Sequence, residues 1–240
     1  MNVHFNTPCR MHKSVQTNQT GILYSILQIH DRGRTSFDCD PCFNRGSMYG
    51  SLIPMPELKF DINPIHQAVT KGNALDLPLK SKSIHSMIID PPFLISTSEG
   101  KMANRYSSFE SKETMFNFFK CMISEAYRVL QEDGLFVVKI QDCNHNRRRV
   151  FSSHFIRSMA FVTGFNLIDE IILYTQNRIS AKSFTSKNCT RSHHCFFLIF
   201  RKKRSRTKYP SCPKNPPETL RDKTKKPREY PSSTKVQPSI

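Results

Sequence analysis

Apolar residues gather in short strand-length runs along this chain, separated by stretches of helical spacing. The runs fall at Thr35–Cys39, Leu58–Ile62, Gly72–Leu75, Ser86–Ile89, Leu135–Gln141, Leu167–Thr175 and Cys195–Phe200. Several are apolar throughout, as in strands covered on both faces. Over residues 112–131 the spacing changes: Met115, Phe116, Phe118, Phe119, Met122, Ile123, Ala126, Val129 and Leu130 recur with a helical period, and Asp133-Gly134 is the expected stop. Val150–Val162 carries a weaker helical pattern. Strands alternating with helices predict a largely parallel sheet with right-handed crossovers, an open α/β fold. Ligands in such a fold sit beyond the carboxyl ends of the strands, so the polar residues just after each strand are the ones to read.

Both ends of the chain lack this patterning. Residues 1–20 show no periodicity, and a boundary at 34/35 leaves residues 1–34 as a partly disordered extension. From Arg201 onward the sequence holds seven of the fifteen prolines and almost no large aliphatic side chains. Such a segment cannot offset its own ordering entropy and reads as a disordered basic tail, 201–240. The domain is thereby placed at 35–200. The 240-residue chain carries +17 at neutral pH, and the tail, with 13 Lys and Arg against 3 acids, carries +10 of it. That balance favours polyanionic partners, nucleic acid first. No apolar run approaches the length of a membrane-spanning helix, so no membrane partner is expected. Eight scattered cysteines read as reduced thiols, and with the basic Arg201–Arg206 cluster they suggest an intracellular protein, nuclear or cytoplasmic, with organelle targeting left open. The lone Cys39-x-x-Cys42 pair has no regularly spaced second pair, so no metal is expected.

The most specific signal is Asp90-Pro91-Pro92-Phe93, directly after the apolar run Ser86–Ile89. The tetrapeptide resembles the catalytic motif of the amino-methyltransferases, S-adenosylmethionine-dependent enzymes that methylate exocyclic amines of adenine or cytosine. Such a reaction explains the residue types: an aromatic amine shares its lone pair with the ring and is a poor nucleophile until its N–H groups are held. The resemblance implies that Asp90 accepts one of them. The backbone carbonyl of Pro91 is the expected second acceptor, held outward because consecutive prolines fix φ and remove donors, and Phe93 the expected face on which an extruded base stacks. The resemblance implies a Rossmann-like class I methyltransferase fold with a mostly parallel seven-stranded sheet, a catalytic Asp90, Pro91, Pro92 and Phe93, and S-adenosyl-L-methionine as cofactor.

Other features fall in the order that resemblance requires. Asp40-Pro41-Cys42-Phe43-Asn44-Arg45-Gly46 is similar to the family's cofactor loop, with Gly46 at the second glycine and Asn44 in place of the first. Asp61 lies where a doubly wound fold sets an acid on the ribose hydroxyls, and Asp76 resembles the acid that meets the adenine. Glu125–Leu130, Glu132-Asp133-Gly134 and the following strand look like the helix, turn and fifth strand of the superfamily. The cofactor half precedes Asp90, the unpermuted order, and no sizeable insertion serves as a target-recognition domain. Substrate contacts are therefore expected from Lys101, Arg105 and Tyr106 in the loop after Phe93, from Arg147, Arg148 and Arg149, from 176–191, or from the tail. Three functions stay open: methylation of a nucleobase amine in DNA or RNA, the same chemistry on a protein side chain, and a non-catalytic nucleic-acid-binding module. A partner subunit for target recognition and the oligomeric state are also open.

Overall fold

The run Ile84–Ile89 lies at the centre of the molecule because both its faces are apolar. Met87 and Ile89 point into one hydrophobic cluster and Ile88 into another. The same alternation recurs in Phe136 and Val138 against Val137, and in Leu198 and Phe200 against Phe197 and Ile199, as period-2 strands buried on both sides require. The computed structural model describes residues 12–96, 108–175, 189–190 and 192–203.

Eight strands form one sheet: β1 (Val15–Gln16), β2 (Cys39–Asp40), β3 (Leu58–Asp61), β4 (Thr70–Lys71), β5 (Ile84–Ile89), β8 (Leu130–Ile140), β11 (Phe165–Tyr174) and β12 (His194–Lys202). Their order is β1-β11-β12-β8-β5-β2-β3-β4. The pairs from β8 through β4 are parallel, and β12 runs antiparallel to both its neighbours. Helices α2 (Lys112–Val129) and α3 (Ser152–Thr163) cover one face, while α1 (Gln19–His30) and the buried Phe43, Met48, Tyr49 and Ile53 cover the other. Two small pairs complete the fold: β6 (Leu94–Ile95) with β7 (Ser108–Phe109), and β9 (Cys143–His145) with β10 (Arg148–Val150).

The predicted helix at 112–131 forms with Ser111 as its cap, whose side chain accepts from the Thr114 N–H at 3.1 Å. Met115, Phe118, Phe119, Met122, Ile123, Ala126 and Val129 are buried on one stripe, each large side chain contributing about 1.5–3 kcal/mol. The helix stops earlier than expected, at Val129, because Leu130 is already extended and pairs with Ile84. Asp133 (φ 62°) and Gly134 instead bend β8 internally. A Cβ on Gly134 would stand 2.8 Å from the Gln131 carbonyl oxygen, so glycine is required there.

The domain boundaries differ from those expected at both ends. α1 buries Ile22, Leu23, Ile26 and Leu27 against the sheet, and β1 adds an eighth strand beside β11, so ordered structure begins well before residue 35. At the other end β12 runs to Lys202, past the expected limit at 200. Arg201 donates to the carbonyls of His30 and Asp133, and the buried Lys202 donates to those of Tyr127 and Leu130, both at 2.7 Å. These two cations cap backbone carbonyls and belong to the fold. The remainder of the expected tail, from 204, lies outside the described residues. Cys39, Cys42, Cys143, Cys189 and Cys195 are free thiols.

Candidate active site at the strand exits

The strand order reverses between β2 and β5, and the crevice at such a switch point is where an open α/β sheet binds ligands. Asp40 ends β2, Asp61 ends β3 and Asp90 follows β5. Their carboxylates lie within electrostatic reach of one another at this edge.

Asp40 is fully buried. The Tyr49 hydroxyl donates to its Oδ2 at 2.7 Å and the Cys42 N–H to its Oδ1 at 3.0 Å. Burial nevertheless pushes its pKa up to about 7, the Asp90 and Asp61 charges adding to the effect and the Tyr49 hydrogen bond opposing it. The loop that follows keeps a left-handed turn despite Asn44: Asn44 has φ 50° and Gly46 φ 62°. Asparagine tolerates this region better than most residues. At Gly46 a Cβ would lie 2.4 Å from the Phe43 ring, which stacks on Tyr49. Asp61 fastens the loop to β3, its Oδ2 accepting from the Asn44 N–H at 2.8 Å and its Oδ1 from the Asn63 N–H at 2.9 Å. Between 47 and 57 no helix forms; Pro54 and Pro56 fall there.

Asp76 does not join this group. It is exposed in the turn after β4, where its N–H donates to the Asn73 carbonyl, and its charge is felt by Arg128 of α2. Asn73 is the first polar side chain past β4, a position that strand boundaries alone would have indicated. Two residues the sequence had offered only as a family signature prove to hold that turn. Glu125 accepts from the Leu77 N–H at 2.7 Å, and Arg128 donates to the carbonyls of Leu77 and Leu79 and back to Glu125.

Asp90 is partly buried and accepts from Lys139 Nζ at 2.5 Å. Lys139 lies on β8, and nothing in the sequence had singled it out. Pro91 is buried and Phe93 packs partly against the core. The chain then enters β6, against which the β9–β10 hairpin packs. That hairpin turns on Asn146 and Arg147, both at positive φ (48° and 61°), the two-residue geometry that matches strand twist. It presents Arg147 and Arg148 to solvent. Arg149 differs: it is half-buried and donates to the Thr190 carbonyl. A cavity of about 860 Å³ beside the hairpin is lined by Lys112, Phe116, His145, Arg148, Phe151 and His154, among others. Lys101, Arg105 and Tyr106 lie outside the described residues, as does most of 176–191.

The donor set fits S-adenosylmethionine. Asp61, and Asp40 once ionised, set negative charge at the strand exits, where a cation carrying a sulfonium and an ammonium would sit, while the charge of Asp90 is met by Lys139; each Asp61 oxygen retains a lone pair beyond its backbone hydrogen bond. Burial raises the pKa of both Cys39 and Cys42, and among the described residues no group of three or more His, Cys, Asp or Glu side chains is placed to hold a metal ion.

Comparison with known proteins agrees with this architecture. The methyltransferase bound to the Trm112 activator of Haloferax volcanii has the same fold, with a TM-score of 0.50 and 11% identity over 80% of this chain and 92% of that one. Weaker likenesses include a Thermus thermophilus protein described as a DNA modification methylase, in complex with S-adenosyl-L-methionine (TM-score 0.38, 19% identity, 55% of this chain and 50% of that one). They also include the cytosine-N4-specific PvuII DNA methyltransferase (TM-score 0.42, 19% identity, 59% and 49%). The chain thus spans about half the length of these two proteins. No curated protein matches it in sequence. The profile of the N6/N4 DNA methylases matches residues 84–238, from the start of β5 through Asp90-Pro91-Pro92-Phe93 and beyond, and the chain belongs to that family of S-adenosylmethionine-dependent methyltransferases.

Proposed function

We propose that this protein transfers a methyl group from S-adenosylmethionine to the exocyclic amine of a nucleic-acid base, adenine first, with DNA as the substrate its family favours. One observation carries the reading: Asp90 emerges at the switch point of the sheet, beside the carboxylates of Asp40 and Asp61, and leads into Pro91, Pro92 and Phe93.

The cofactor supplies an electrophilic methyl group. Asp40, Asp61 and the turn at Asn44–Gly46 hold it, Asp61 through the ribose hydroxyls; Asn73 takes over the adenine-side position expected of Asp76. Asp90 accepts one N–H of the target amine and the Pro91 carbonyl the other, drawing the nitrogen toward tetrahedral geometry with its lone pair aimed at the methyl carbon. Transfer would form the N–C bond as the methyl–sulfur bond breaks, the neutral thioether leaving with that electron pair, and the amine would shed one proton to Asp90 or to water, so no covalent enzyme intermediate is needed. Positioning and charge supply the acceleration. Phe93 stacks on the extruded base and replaces part of the stacking lost from the strand.

Arg147 and Arg148 grip phosphates next to this site, since their hairpin packs on β6, the continuation of the catalytic segment. Lys112 and the exposed Phe151 extend the same basic, aromatic-lined surface. Such contacts fix position without reading sequence. The test is incubation of the purified protein with methyl-labelled cofactor and single- or double-stranded DNA and RNA, followed by nucleoside analysis. Label on the exocyclic nitrogen of adenine or cytosine supports the reading, and label only on added protein, or none, refutes it.

A further inference from the structure

We propose that Lys139 is a specificity-determining residue that reads the ring nitrogen next to the target amine, so that Asp90 and Lys139 together select an amino group flanked by a hydrogen-bond acceptor. This rests on the methylation of a base amine by the Asp90 segment and names the part of the base that is recognised.

The placement follows from register. β5 and β8 pair in parallel, with Ile89 opposite Val138. One step further along both strands brings Asp90 alongside Lys139. Alternation puts the two side chains on one face of the sheet, the face of Ile88 and Val137, where Tyr49 and Asp40 also lie. They meet at 2.5 Å, with side-chain exposures of 28% for Asp90 and 17% for Lys139. A pair this sheltered adds little net stability, because desolvating two charges offsets most of their attraction. A lysine at this point therefore calls for a role in the chemistry of the crevice.

Its chemistry complements the substrate. Adenine presents its 6-amino group beside N1, and cytosine its 4-amino group beside N3: in each a donor sits next to an acceptor. The carboxylate of Asp90 and the ammonium of Lys139 present the reverse, an acceptor next to a donor, at about the separation of the two nitrogens of that edge. An ammonium carries three N–H donors, so donating to Asp90 does not exhaust its capacity to donate to a base.

The experiment compares natural DNA with DNA in which adenine is replaced by 1-deazaadenine, or cytosine by 3-deazacytosine. Each analogue keeps the amine and loses only the ring acceptor. Methyl transfer by the wild type and by Lys139→Met and Lys139→Arg is measured in whichever strand form the wild type methylates. For the wild type, kcat/KM is expected to fall roughly 10- to 100-fold on the analogue, the worth of one charge-assisted hydrogen bond. Lys139→Met should be slow on both substrates with the discrimination lost, and Lys139→Arg should restore part of it. Equal rates of the wild type on natural and deaza DNA overturn the proposal while leaving base methylation intact. A wild type inactive on all natural DNA and RNA overturns both. The wild-type comparison needs no variant, so a failure of Lys139→Met to fold does not shield the proposal.

Discussion

Replacing Asp40 by asparagine isolates the most heavily perturbed acid in the site. The side chain is fully buried, and burial raises its pKa from 3.8 to about 7. Because the folded-state value lies above the unfolded one, the folded protein holds this proton over a range in which the unfolded chain has lost it. The associated stability is present in full below about pH 3.8 and is lost as pH rises through about 7. Three pH units at 1.36 kcal/mol each amount to roughly 4 kcal/mol, an order-of-magnitude figure for what the ionised carboxylate costs the fold at pH 8. The asparagine amide keeps an acceptor for the Cys42 N–H and carries no charge. Chemical denaturation of wild type and Asp40→Asn at intervals from pH 4 to 8.5 is the assay. The two proteins should differ least at pH 4, and the variant should become the more stable one as pH rises, by up to roughly 4 kcal/mol. Cofactor binding should show the converse: the preference for the cationic S-adenosylmethionine over uncharged-sulfur S-adenosylhomocysteine should grow from pH 6 to 8 in the wild type and stay flat in Asp40→Asn. A stability difference that does not vary with pH would refute the assigned burial cost.

Other substitutions separate binding, folding and catalysis. Asp61→Ala leaves the Asn44 and Asn63 N–H groups without their acceptor and should weaken S-adenosylmethionine binding by tenfold or more, about 1.4 kcal/mol or above, by calorimetry. Glu125→Ala removes the acceptor of the Leu77 N–H and the partner of Arg128, and should cost roughly 2–3 kcal/mol in denaturant unfolding. Phe93→Ala should lose about 1–3 kcal/mol of base engagement while Phe93→Tyr is tolerated, read as KM for DNA.

Much of the fold was legible because its central elements obey simple periods. Ile84–Ile89 is a continuous apolar run, and α2 repeats its phenylalanines and methionines on one stripe. α1 escaped notice because GILYSILQI is apolar with little helical contrast, and β1 is only two residues long. Arg201 and Lys202 read as tail because lysine and arginine are usually exposed; their roles as carbonyl caps appear only once β12 pairs with β8 and β11. The acids at the exits of β2, β3 and β5 were identifiable from their place after apolar runs. Asp76 was misplaced because β4 is shorter and earlier than its sequence suggested, which leaves Asn73 at the exit. Lys139 was invisible for a different reason: it is distant from Asp90 in the chain, and only the β5–β8 register brings the two together.

The central claim is that Asp90 holds the amine that is methylated, and the most direct measurement is methyl transfer from labelled S-adenosylmethionine to DNA by the wild type and by Asp90→Ala, with cofactor affinity and melting temperature taken on the same samples. The account predicts label on a base amine by the wild type, a loss of about 100-fold or more in the variant, and cofactor affinity within a few-fold of the wild type. A folded Asp90→Ala protein that binds the cofactor and methylates DNA at the wild-type rate would contradict it.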